Sequence, residues 1–313
     1  MNISQLRTFV TVVERGSFSG AARLMGISQP AVTMQIQALE AAMGATLLDR
    51  RYRRVDLTEA GRTLLPYARR VLGEVERARD DIAALSGSVS GRLCIAASTT
   101  PGVYLIPRLL GRFLAKNPEV RVTITIHDTA QVAEAVQSGS ADLGVTGAKV
   151  KGSRAVFTEI GSDELVVICP PESPLASLEN ASLPDLAEAD WIMRERGSGT
   201  RQIAEQLLAQ AGVDPEELRV IVELGTGEAL VSAVEGGLGV AMLSRQVAQK
   251  ALALGTVARV DLGGQALVRP FYLLLSKGTP ARAAQAFADY LAQAPDSDDV
   301  RIGTEGPTSQ TGG

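Results

Sequence analysis

The apolar residues near the start of the chain recur at helical spacing, and this pattern predicts three short helices in succession. The first runs from Ser4 to about Glu14. Its apolar face consists of Leu6, Phe9, Val10 and Val13. The second and third helices begin after Ser17 and Ser28, because a serine hydroxyl caps a helix N-terminus well. Gly26 lies between them, so the chain is expected to turn sharply there.

Two short helices joined by a sharp turn are typical of a helix-turn-helix, whose later helix enters the major groove of DNA. Pro30 stands in the first turn of the third helix, where a missing N–H costs little. The faces expected to enter a core consist of Ala21, Ala22, Leu24, Val32, Ile36, Leu39 and Met43. The polar side chains left outside, which suit hydrogen bonds to base edges, are Gln29, Thr33, Gln35 and Gln37.

A short basic hairpin, or wing, is predicted next. Leu47 and Leu48 indicate one strand, and residues 55–57 indicate its return. The hairpin carries Arg50, Arg51, Arg53 and Arg54. Arginines this close together repel one another unless an anion neutralises them, and beside a helix-turn-helix that anion is DNA phosphate. The alternative is a solvated charged run that binds nothing.

Thr58 is placed to cap a long helix, with Glu59 in its first turn. Apolar residues along this helix repeat at spacings of 4 and 3, at Leu64, Ala68, Val71, Val75, Ala78, Ile82 and Leu85. Such a heptad seam predicts a partner helix, and so a dimer through this helix. The alternative is that the seam packs against the chain's own domain.

Beyond a Gly- and Ser-rich hinge at residues 87–91, strand and helix patterns alternate, which predicts an α/β sheet. Strands are predicted at 92–97, 120–126, 142–146, 164–169, 190–193, 219–223, 239–242, 256–260 and 268–275. Helices are predicted at 102–115, 129–138, 199–211, 227–236, 244–253 and 279–293. The predicted fold class is therefore α/β, with an N-terminal all-α winged helix-turn-helix and a long coiled-coil linker helix.

Two turns of the α/β region combine hydroxyl groups with the start of a helix. They contain Ser98, Thr99 and Thr100 in the first, and Arg196, Ser198, Thr200 and Arg201 in the second. Free backbone N–H groups at helix N-termini attract anions. The two turns together therefore predict a small anion held between them, although ordinary capping is the alternative for each turn.

Charge is unevenly distributed along the 313 residues, which carry a net charge of −4. Residues 1–90 hold 12 Arg and Lys against 9 Asp and Glu, a net of +3, and the remainder holds 19 against 26, a net of −7. This asymmetry permits DNA binding at the basic end. No apolar run approaches the roughly 20 residues of a membrane span. The amphipathic N-terminus does not resemble a signal peptide, so we expect a cytoplasmic protein that does not bind membranes.

No pattern predicts catalysis, a metal site or a cofactor. His127 is the only histidine of the sequence and has no nucleophile placed to use it. Cys94 and Cys169 stand in apolar runs and are expected to be buried core residues rather than a redox pair. We therefore expect a binding protein and not an enzyme.

The N-terminal motifs resemble those of LysR-type transcriptional regulators. The matching runs are Leu6-Arg7-Thr8-Phe9, Gly16-Ser17-Phe18-Ser19, Ala21-Ala22, Ser28-Gln29-Pro30-Ala31-Val32, Leu39-Glu40, Leu47-Leu48-Asp49-Arg50 and Leu57-Thr58-Glu59-Ala60-Gly61. The DNA-contacting set that follows is Ser17, Ser28, Gln29, Pro30, Thr33, Gln37 and the four wing arginines. The chain departs from the family where Met34 and Gln37 replace basic residues, so phosphate contacts must depend on the wing.

The resemblance also implies a domain organisation. A DNA-binding domain spans residues 1–58 and a linker spans 59–90. An effector domain resembling periplasmic binding proteins has one subdomain of 91–162 with 268–295, a second of 163–267, and a disordered tail at 296–313. Its ligand hydroxyls fall at Ser98, Thr100, Thr146 and Ser198. The run 197–201 resembles regulators of carbon-fixation and sulfur-assimilation genes, which suggests a sulfate-like, phosphorylated or carboxylate effector.

The expected function is that of a homo-oligomeric regulator, a dimer or tetramer, which binds double-stranded DNA under the control of a small anionic effector. One alternative is a DNA-binding regulator with a degenerate cleft and no effector. Another is a DNA-binding domain fused to an enzyme or to a solute-binding module.

Overall fold

The computed structural model describes residues 1–49, 55–83, 89–150, 152–276, 280–293 and 301–302. They form two compact units, one built largely of residues 1–88 and the other largely of residues from 89 onward. The wing arginines, Leu85 and all of the predicted tail except residues 301–302 lie outside the described residues.

Three helices pack together in the N-terminal unit. They are α1 (Ile3–Arg15), α2 (Phe18–Met25) and α3 (Gln29–Met43). As predicted, Ser17 caps α2 and Ser28 caps α3, each accepting a bond from a backbone N–H three residues on, at 3.1 and 3.3 Å. Gly26 ends α2 with a φ of 66°, a conformation that favours glycine. The predicted helix-turn-helix is confirmed.

The core of this unit differs from the prediction only at helix ends. Val32, Ile36 and Leu39 are fully buried, as predicted. Met43 is 38% exposed and Leu24 is 57% exposed, so the prediction that both enter the core is wrong. Each stands in the last turn of its helix, where fewer neighbouring side chains cover it.

A hairpin and a long helix complete the N-terminal unit. The hairpin pairs β1 (Leu48–Asp49) with β2 (Asp56–Leu57) in antiparallel register. It leads into α4 (Glu59–Ala83), whose first turn Thr58 caps through a bond of 3.0 Å from Gly61 N.

The first half of the heptad seam on α4 packs within the N-terminal unit. Ala68 is 1% exposed, and Leu64 packs against the same apolar core. Val71 and Ile82 are exposed, by 40% and 69%. The internal-packing alternative therefore holds for Ala68 and Leu64. The candidate dimer surface is the part of the seam from Val71 onward.

The second unit is an α/β structure, as predicted. Its strands are β3 (Gly91–Ser98), β4 (Val120–His127), β5 (Leu143–Thr146), β6 (Val156–Cys169), β7 (Trp191–Arg194), β8 (Val220–Leu224), β9 (Ala241–Ser244), β10 (Ala258–Arg259), β11 (Leu267–Leu275) and β12 (Arg301–Ile302). Its helices are α5 (Ile106–Lys116), α6 (Thr129–Ser138), α7 (Gly199–Gln210), α8 (Gly227–Glu235), α9 (Arg245–Leu254) and α10 (Arg282–Ala292). A π-helical turn, Pro101–Leu105, leads directly into α5.

Two long antiparallel strands, β6 and β11, connect the two halves of this unit. They pair from Leu165 with Leu267 to Val156 with Leu275. Subdomain I, with β3, β4, β5, α5, α6 and α10, has a core that includes Phe113. Subdomain II, with β7 to β10 and α7 to α9, has cores that include Trp191 and Leu243.

Strand β6 is longer than the sequence predicts. It was expected at 164–169 but begins at Val156, because pairing with β11 extends it through a stretch without regular apolar alternation. The extra residues form the connection from subdomain I to subdomain II. Strand β12 pairs in parallel with β6.

Candidate functional site

The exposed start of α3 is the candidate DNA-reading surface. Ser28, Gln29 and Pro30 are exposed there, and Gln37 is exposed about two turns further along the same helix. The Thr33 hydroxyl donates to the Gln29 carbonyl at 3.1 Å, so this side chain lies against the helix. These residues present amide groups and a proline, and no charge, to a partner.

Gln35 is not part of this surface, and the prediction that it faces outward is wrong. Its Oε1 accepts hydrogen bonds from the hydroxyls of Thr8 and Ser4 on α1. The spacing of apolar residues does not reveal this, since the donors come from another helix. Met34, in contrast, is 69% exposed.

The backbone of the wing contacts both α3 and α4. Glu40 on α3 accepts bonds from the backbone N–H groups of Leu47 at 2.8 Å and Leu48 at 3.3 Å. A Cβ on Gly61 would lie 2.1 Å from the Leu47 carbonyl oxygen, so only glycine permits α4 to pass this close. The wing strands are thereby fixed relative to α3.

A pocket between subdomains I and II brings both predicted turns together. It is lined by residues 98–100 and by residues 198–200, together with the start of α6 at Thr129. Two arginines, Arg194 on β7 and Arg269 on β11, also face it. The starts of three helical segments thus point into one small space, which favours an anion because their N–H groups carry partial positive charge.

The first turn offers buried hydroxyls from subdomain I. Ser98 is 8% exposed, and its Oγ accepts a bond from the Gly147 backbone N–H at 3.3 Å. Thr100 is 5% exposed and makes no side-chain capping bond to the π-helical turn that it precedes. A hydroxyl that is not used for capping can serve a ligand.

The second turn offers hydroxyls from subdomain II. Ser198 is the N-cap residue of α7 but makes no side-chain capping bond. The Thr200 Oγ1 accepts a bond from Arg269 Nη1 at 2.8 Å. The hydroxyl proton of Thr200 therefore points away from Arg269. A Cβ on Gly199 would lie 2.7 Å from Thr129 Oγ1. The glycine therefore permits the two subdomains to approach closely at this point.

The arginines of the second turn do not line the pocket. Arg196 is exposed. Arg201 binds Glu205 and Glu223, each at 2.6 Å, and donates to the Arg194 carbonyl at 3.0 Å. Burial opposes its charge, but these hydrogen bonds raise the pKa of Arg201. Neither arginine therefore supplies charge to the pocket. Arg201 instead connects the end of β7 to α7 through these bonds.

Thr146 is also placed away from the pocket lining. It is fully buried, and its hydroxyl donates to the Ala148 carbonyl at 2.8 Å. This bond shapes the turn after β5, whose Gly147 faces the pocket. The contribution of Thr146 to the site is therefore through the backbone.

Arg269 was missed by the sequence analysis. It is 1% exposed, and its Nε and Nη2 donate to Asp163 Oδ2 at 2.8 and 2.6 Å. Ser244 donates to the other carboxylate oxygen at 2.9 Å. Burial raises the pKa of Asp163, although Arg269 acts to lower it. The pair joins directly opposed positions of β6 and β11.

Thr129 was also missed, and it carries the least satisfied group of the pocket. It is 2% exposed, and its Oγ1 has no hydrogen-bond partner among the described residues. A buried hydroxyl without a partner costs free energy. Since Thr129 faces the pocket, a ligand would relieve that cost.

Arg194, the second arginine of the pocket, is likewise paired. It is 5% exposed and binds both oxygens of Glu195, at 2.7 and 2.8 Å, as well as the Gly225 carbonyl at 3.0 Å. Both pocket arginines are thus neutralised by a carboxylate. The strongest unused donors are therefore hydroxyls and backbone N–H groups.

A hydrogen bond between two side chains also crosses from one subdomain to the other. Tyr104, in the π-helical turn, donates to Glu228 Oε1 in the first turn of α8 at 2.9 Å. Burial and this bond raise the pKa of Tyr104 to about 12. The bond therefore links the π-helical turn of subdomain I to the start of α8 in subdomain II.

Other kinds of site are not found in the described part of the chain. No group of His, Cys, Asp and Glu among those residues is arranged to hold a metal ion. None of the helices they form is both long and apolar enough to cross a membrane.

A helix-turn-helix followed by a two-subdomain ligand-binding fold defines a DNA-binding transcriptional regulator with an effector domain. The chain belongs to the LysR family of such regulators. The family model for bacterial regulatory helix-turn-helix proteins of the lysR family matches residues 3–62, and that for the LysR substrate binding domain matches residues 86–296. The expectation of a regulator rather than an enzyme agrees with this membership.

Two similar relatives are described as probable RuBisCO transcriptional regulators. One, from Cyanidioschyzon merolae, is 37% identical over 276 residues, which cover 86% of this chain and 90% of the relative. Another, from Nostoc, is 34% identical over 293 residues, which cover 91% of this chain and 86% of the relative. These names agree with the resemblance to carbon-fixation regulators.

Solved structures of the family share the fold. CbnR superimposes with a TM-score of 0.70 at 25% identity, covering 94% of this chain and 99% of CbnR, and it has also been solved with its target DNA. The regulatory domain of Synechocystis CcmR in complex with 2-phosphoglycolate is 30% identical, with a TM-score of 0.60, covering 67% of this chain and 99% of that domain.

Proposed function

We propose that this chain is a DNA-binding regulator whose effector domain closes on a small oxyanion in the pocket between subdomains I and II. The observation that carries the proposal is the buried Thr129 hydroxyl, which faces the pocket and has no hydrogen-bond partner in the described part of the chain. The CcmR regulatory domain, which is 30% identical, binds a phosphorylated carboxylate, and this supports an anion of that class.

An anion suits the pocket better than a neutral ligand. The starts of three helical segments and the hydroxyls of Thr100, Thr129 and Ser198 are donors, and an anion accepts charge-assisted bonds from them. A neutral ligand would leave several of these donors desolvated without strong acceptors, at a cost of about 1–3 kcal/mol each.

Closure of the pocket would act as the switch. Thr129 belongs to subdomain I and Ser198 belongs to subdomain II, so an anion that contacts both binds the closed cleft more tightly than an open one. A ligand shifts a conformational equilibrium only through such a difference in affinity. In a dimer, the change would alter the arrangement of the DNA-binding domains on a two-fold site.

On the DNA side, we infer that Gln29, Pro30, Thr33 and Gln37 read bases, and that the wing arginines bind phosphates. Ser17 and Ser28 orient the two helices as caps. We infer further that the chain is a homodimer or a higher homo-oligomer through α4. The exposed Val71 and Ile82 support this, since apolar residues left exposed in heptad register are typical of a helix face that a partner helix covers.

Calorimetric titration with 2-phosphoglycolate and with sulfate tests the effector proposal. Thr129→Val and Ser198→Ala should each weaken binding of the preferred anion about tenfold or more, since a hydrogen bond to a charged group contributes about 1.5–3 kcal/mol. Thr123→Val, at an exposed position of β4, is the matched control and should leave the affinity unchanged. Absence of binding for both anions, or indifference to both pocket substitutions, would overturn the proposal.

A further inference from the structure

One residue of the pocket does not fit a simple anion site. Asp128, between the end of β4 and the start of α6, places a carboxylate among donors. Its Oδ1 accepts a bond from the Gln131 backbone N–H at 2.7 Å, and its own N–H donates to Gln131 Oε1 at 3.3 Å. These reciprocal bonds cap α6 and hold the carboxylate in a fixed position.

The second oxygen of this carboxylate faces the opposite subdomain. A Cβ built on Gly197, just before the second turn, would lie 3.8 Å from Asp128 Oδ2. Among the described residues, the side-chain carboxylate of Asp128 accepts a hydrogen bond only from Gln131, and that bond goes to Oδ1. Oδ2 therefore retains its capacity to accept a bond from whatever occupies the pocket.

The charges around the pocket do not neutralise this carboxylate. Arg269 is paired with Asp163, and Arg194 is paired with Glu195. A fully deprotonated oxyanion would place oxygen lone pairs against Oδ2, which is repulsive. An oxyanion that carries an O–H group would donate it to Oδ2 and convert that repulsion into a charge-assisted hydrogen bond.

We propose that Asp128 makes the effector site selective for oxyanions that carry their own O–H donor, such as a protonated phosphate or a hydroxy acid, over sulfate. This inference rests on the proposed function, since it concerns the ligand class of the same pocket. The second observation at this helix start is the buried and unpartnered hydroxyl of Thr129, which shows that the space is built to receive a polar group.

Inorganic phosphate and sulfate are the sharpest pair of probes. They are similar in shape, but phosphate keeps at least one P–OH group throughout the neutral range, and sulfate has none. Calorimetry on the full-length protein should show phosphate bound at least tenfold more tightly than sulfate. Sites built around a hydroxyl reject analogues that lack it by even larger factors, up to about 10⁴–10⁵. Glycolate and acetate, which differ by one hydroxyl group, allow the same comparison of affinities for hydroxy acids.

Asp128→Asn is the decisive variant. Asparagine caps helices as well as aspartate, and its Oδ1 can still accept from Gln131. Its Nδ2 would present a donor where Oδ2 presented an acceptor. The preference for phosphate over sulfate should therefore fall at least tenfold, with sulfate gaining affinity. Asp214→Asn is the matched control, because Asp214 also accepts a backbone bond, from Glu216 at 3.0 Å, but does not line the pocket.

A phosphomonoester adds a test through pH. Its second pKa is about 6, so it carries a P–OH only in acidic solution. Between about pH 7.5 and 5.5, wild-type affinity for phosphoglycolate should rise relative to sulfate, and Asp128→Asn should abolish this rise. The other titratable groups at the pocket are His127, Arg194 and Arg269 with their carboxylate partners. His127 is present in both wild type and Asp128→Asn, so the difference between the two proteins in this ratio of affinities isolates Asp128.

The outcomes separate this inference from the proposed function. If wild type binds phosphate and sulfate equally, or if Asp128→Asn leaves their ratio unchanged, Asp128 does not select the ligand, although the site still binds anions. If none of the probes binds wild type, the proposed anion site itself fails. A lower melting temperature for Asp128→Asn with an unchanged ratio would assign Asp128 to capping alone.

Discussion

Gly199→Ala tests whether the effector pocket works by closure. Gly199 is the first residue of α7 in subdomain II, and a Cβ there would lie 2.7 Å from Thr129 Oγ1 in subdomain I. Contacts from a Cβ below 3.0 Å essentially never occur, so something must move. The other nearest atoms, on Ala148, are at 3.4 and 3.5 Å, which are tolerable. The strain therefore acts on one contact across the cleft.

The size of the expected loss in effector affinity depends on which part of the structure moves to relieve the clash. Overpacking by one methyl group costs about 1–3 kcal/mol when the surroundings are fixed. Here the two atoms belong to different subdomains, so slight opening of the cleft removes the strain without unfolding either core. The penalty therefore falls on the closed state, and the effector dissociation constant should rise by about 5- to 150-fold. The melting temperature without ligand should change little.

Calorimetry with 2-phosphoglycolate, paired with differential scanning calorimetry, separates the two effects. Gly111→Ala on α5 is the control, since a Cβ at that position meets nothing within 4 Å. In a Thr129→Ala background, the penalty of Gly199→Ala should shrink, because the clashing oxygen is gone. Unchanged affinity in Gly199→Ala, or a large fall in melting temperature with intact affinity, would refute the closure argument.

Three further predictions concern the N-terminal unit. Gly61→Ala should lower its melting temperature strongly, because the new Cβ would stand 2.1 Å from the Leu47 carbonyl oxygen, whereas Gly73→Ala, in open space on the same helix, should not. Val71→Asp should lower the mass of the oligomer measured by sedimentation. The N-terminal unit should stay folded, since Val71 is 40% exposed there. An oligomer of unchanged mass would place the interface elsewhere. Gln29→Ala should reduce the discrimination between bases at one position of the DNA site by about 1–3 kcal/mol. Binding to a set of sites altered at one base pair at a time measures this. Equal weakening on all of these sites would contradict base reading by Gln29.

The helix-turn-helix could be predicted because its signals are local. Ser17, Ser28 and Gly26 act within one turn of their own positions, and a short window of sequence contains all that is needed. The error at Gln35 has the opposite origin. Its partner Thr8 lies on another helix, 27 residues earlier in the chain, so no local pattern indicates that the amide faces inward.

The residues of the candidate effector site likewise include some that local sequence predicts and some that it does not. Its hydroxyl turns were predictable, because a strand end, hydroxyl residues and a helix start are contiguous in sequence. Arg269 was not predictable, since its partner Asp163 is 106 residues away and the two meet only through the register of β6 with β11. The Arg201–Glu205 pair was available from the sequence as an i,i+4 contact, and it would have removed Arg201 from the candidates.

The position of Arg269 on a connecting strand bears on how an effector would switch the domain. Strands β6 and β11 pair along their length, and the buried contact of Arg269 with Asp163 holds the guanidinium on these connecting strands. Its bond to Thr200 Oγ1 also joins it to subdomain II, so its position there does not depend on closure. Its attraction for an anion is therefore similar whether the cleft is open or closed. The Thr129 and Ser198 hydroxyls belong to opposite subdomains and reach one ligand only on closure. Because a switch depends on the difference in affinity between two states, the hydroxyls should control the response, whereas Arg269, which is already paired with Asp163, should act alike on both states.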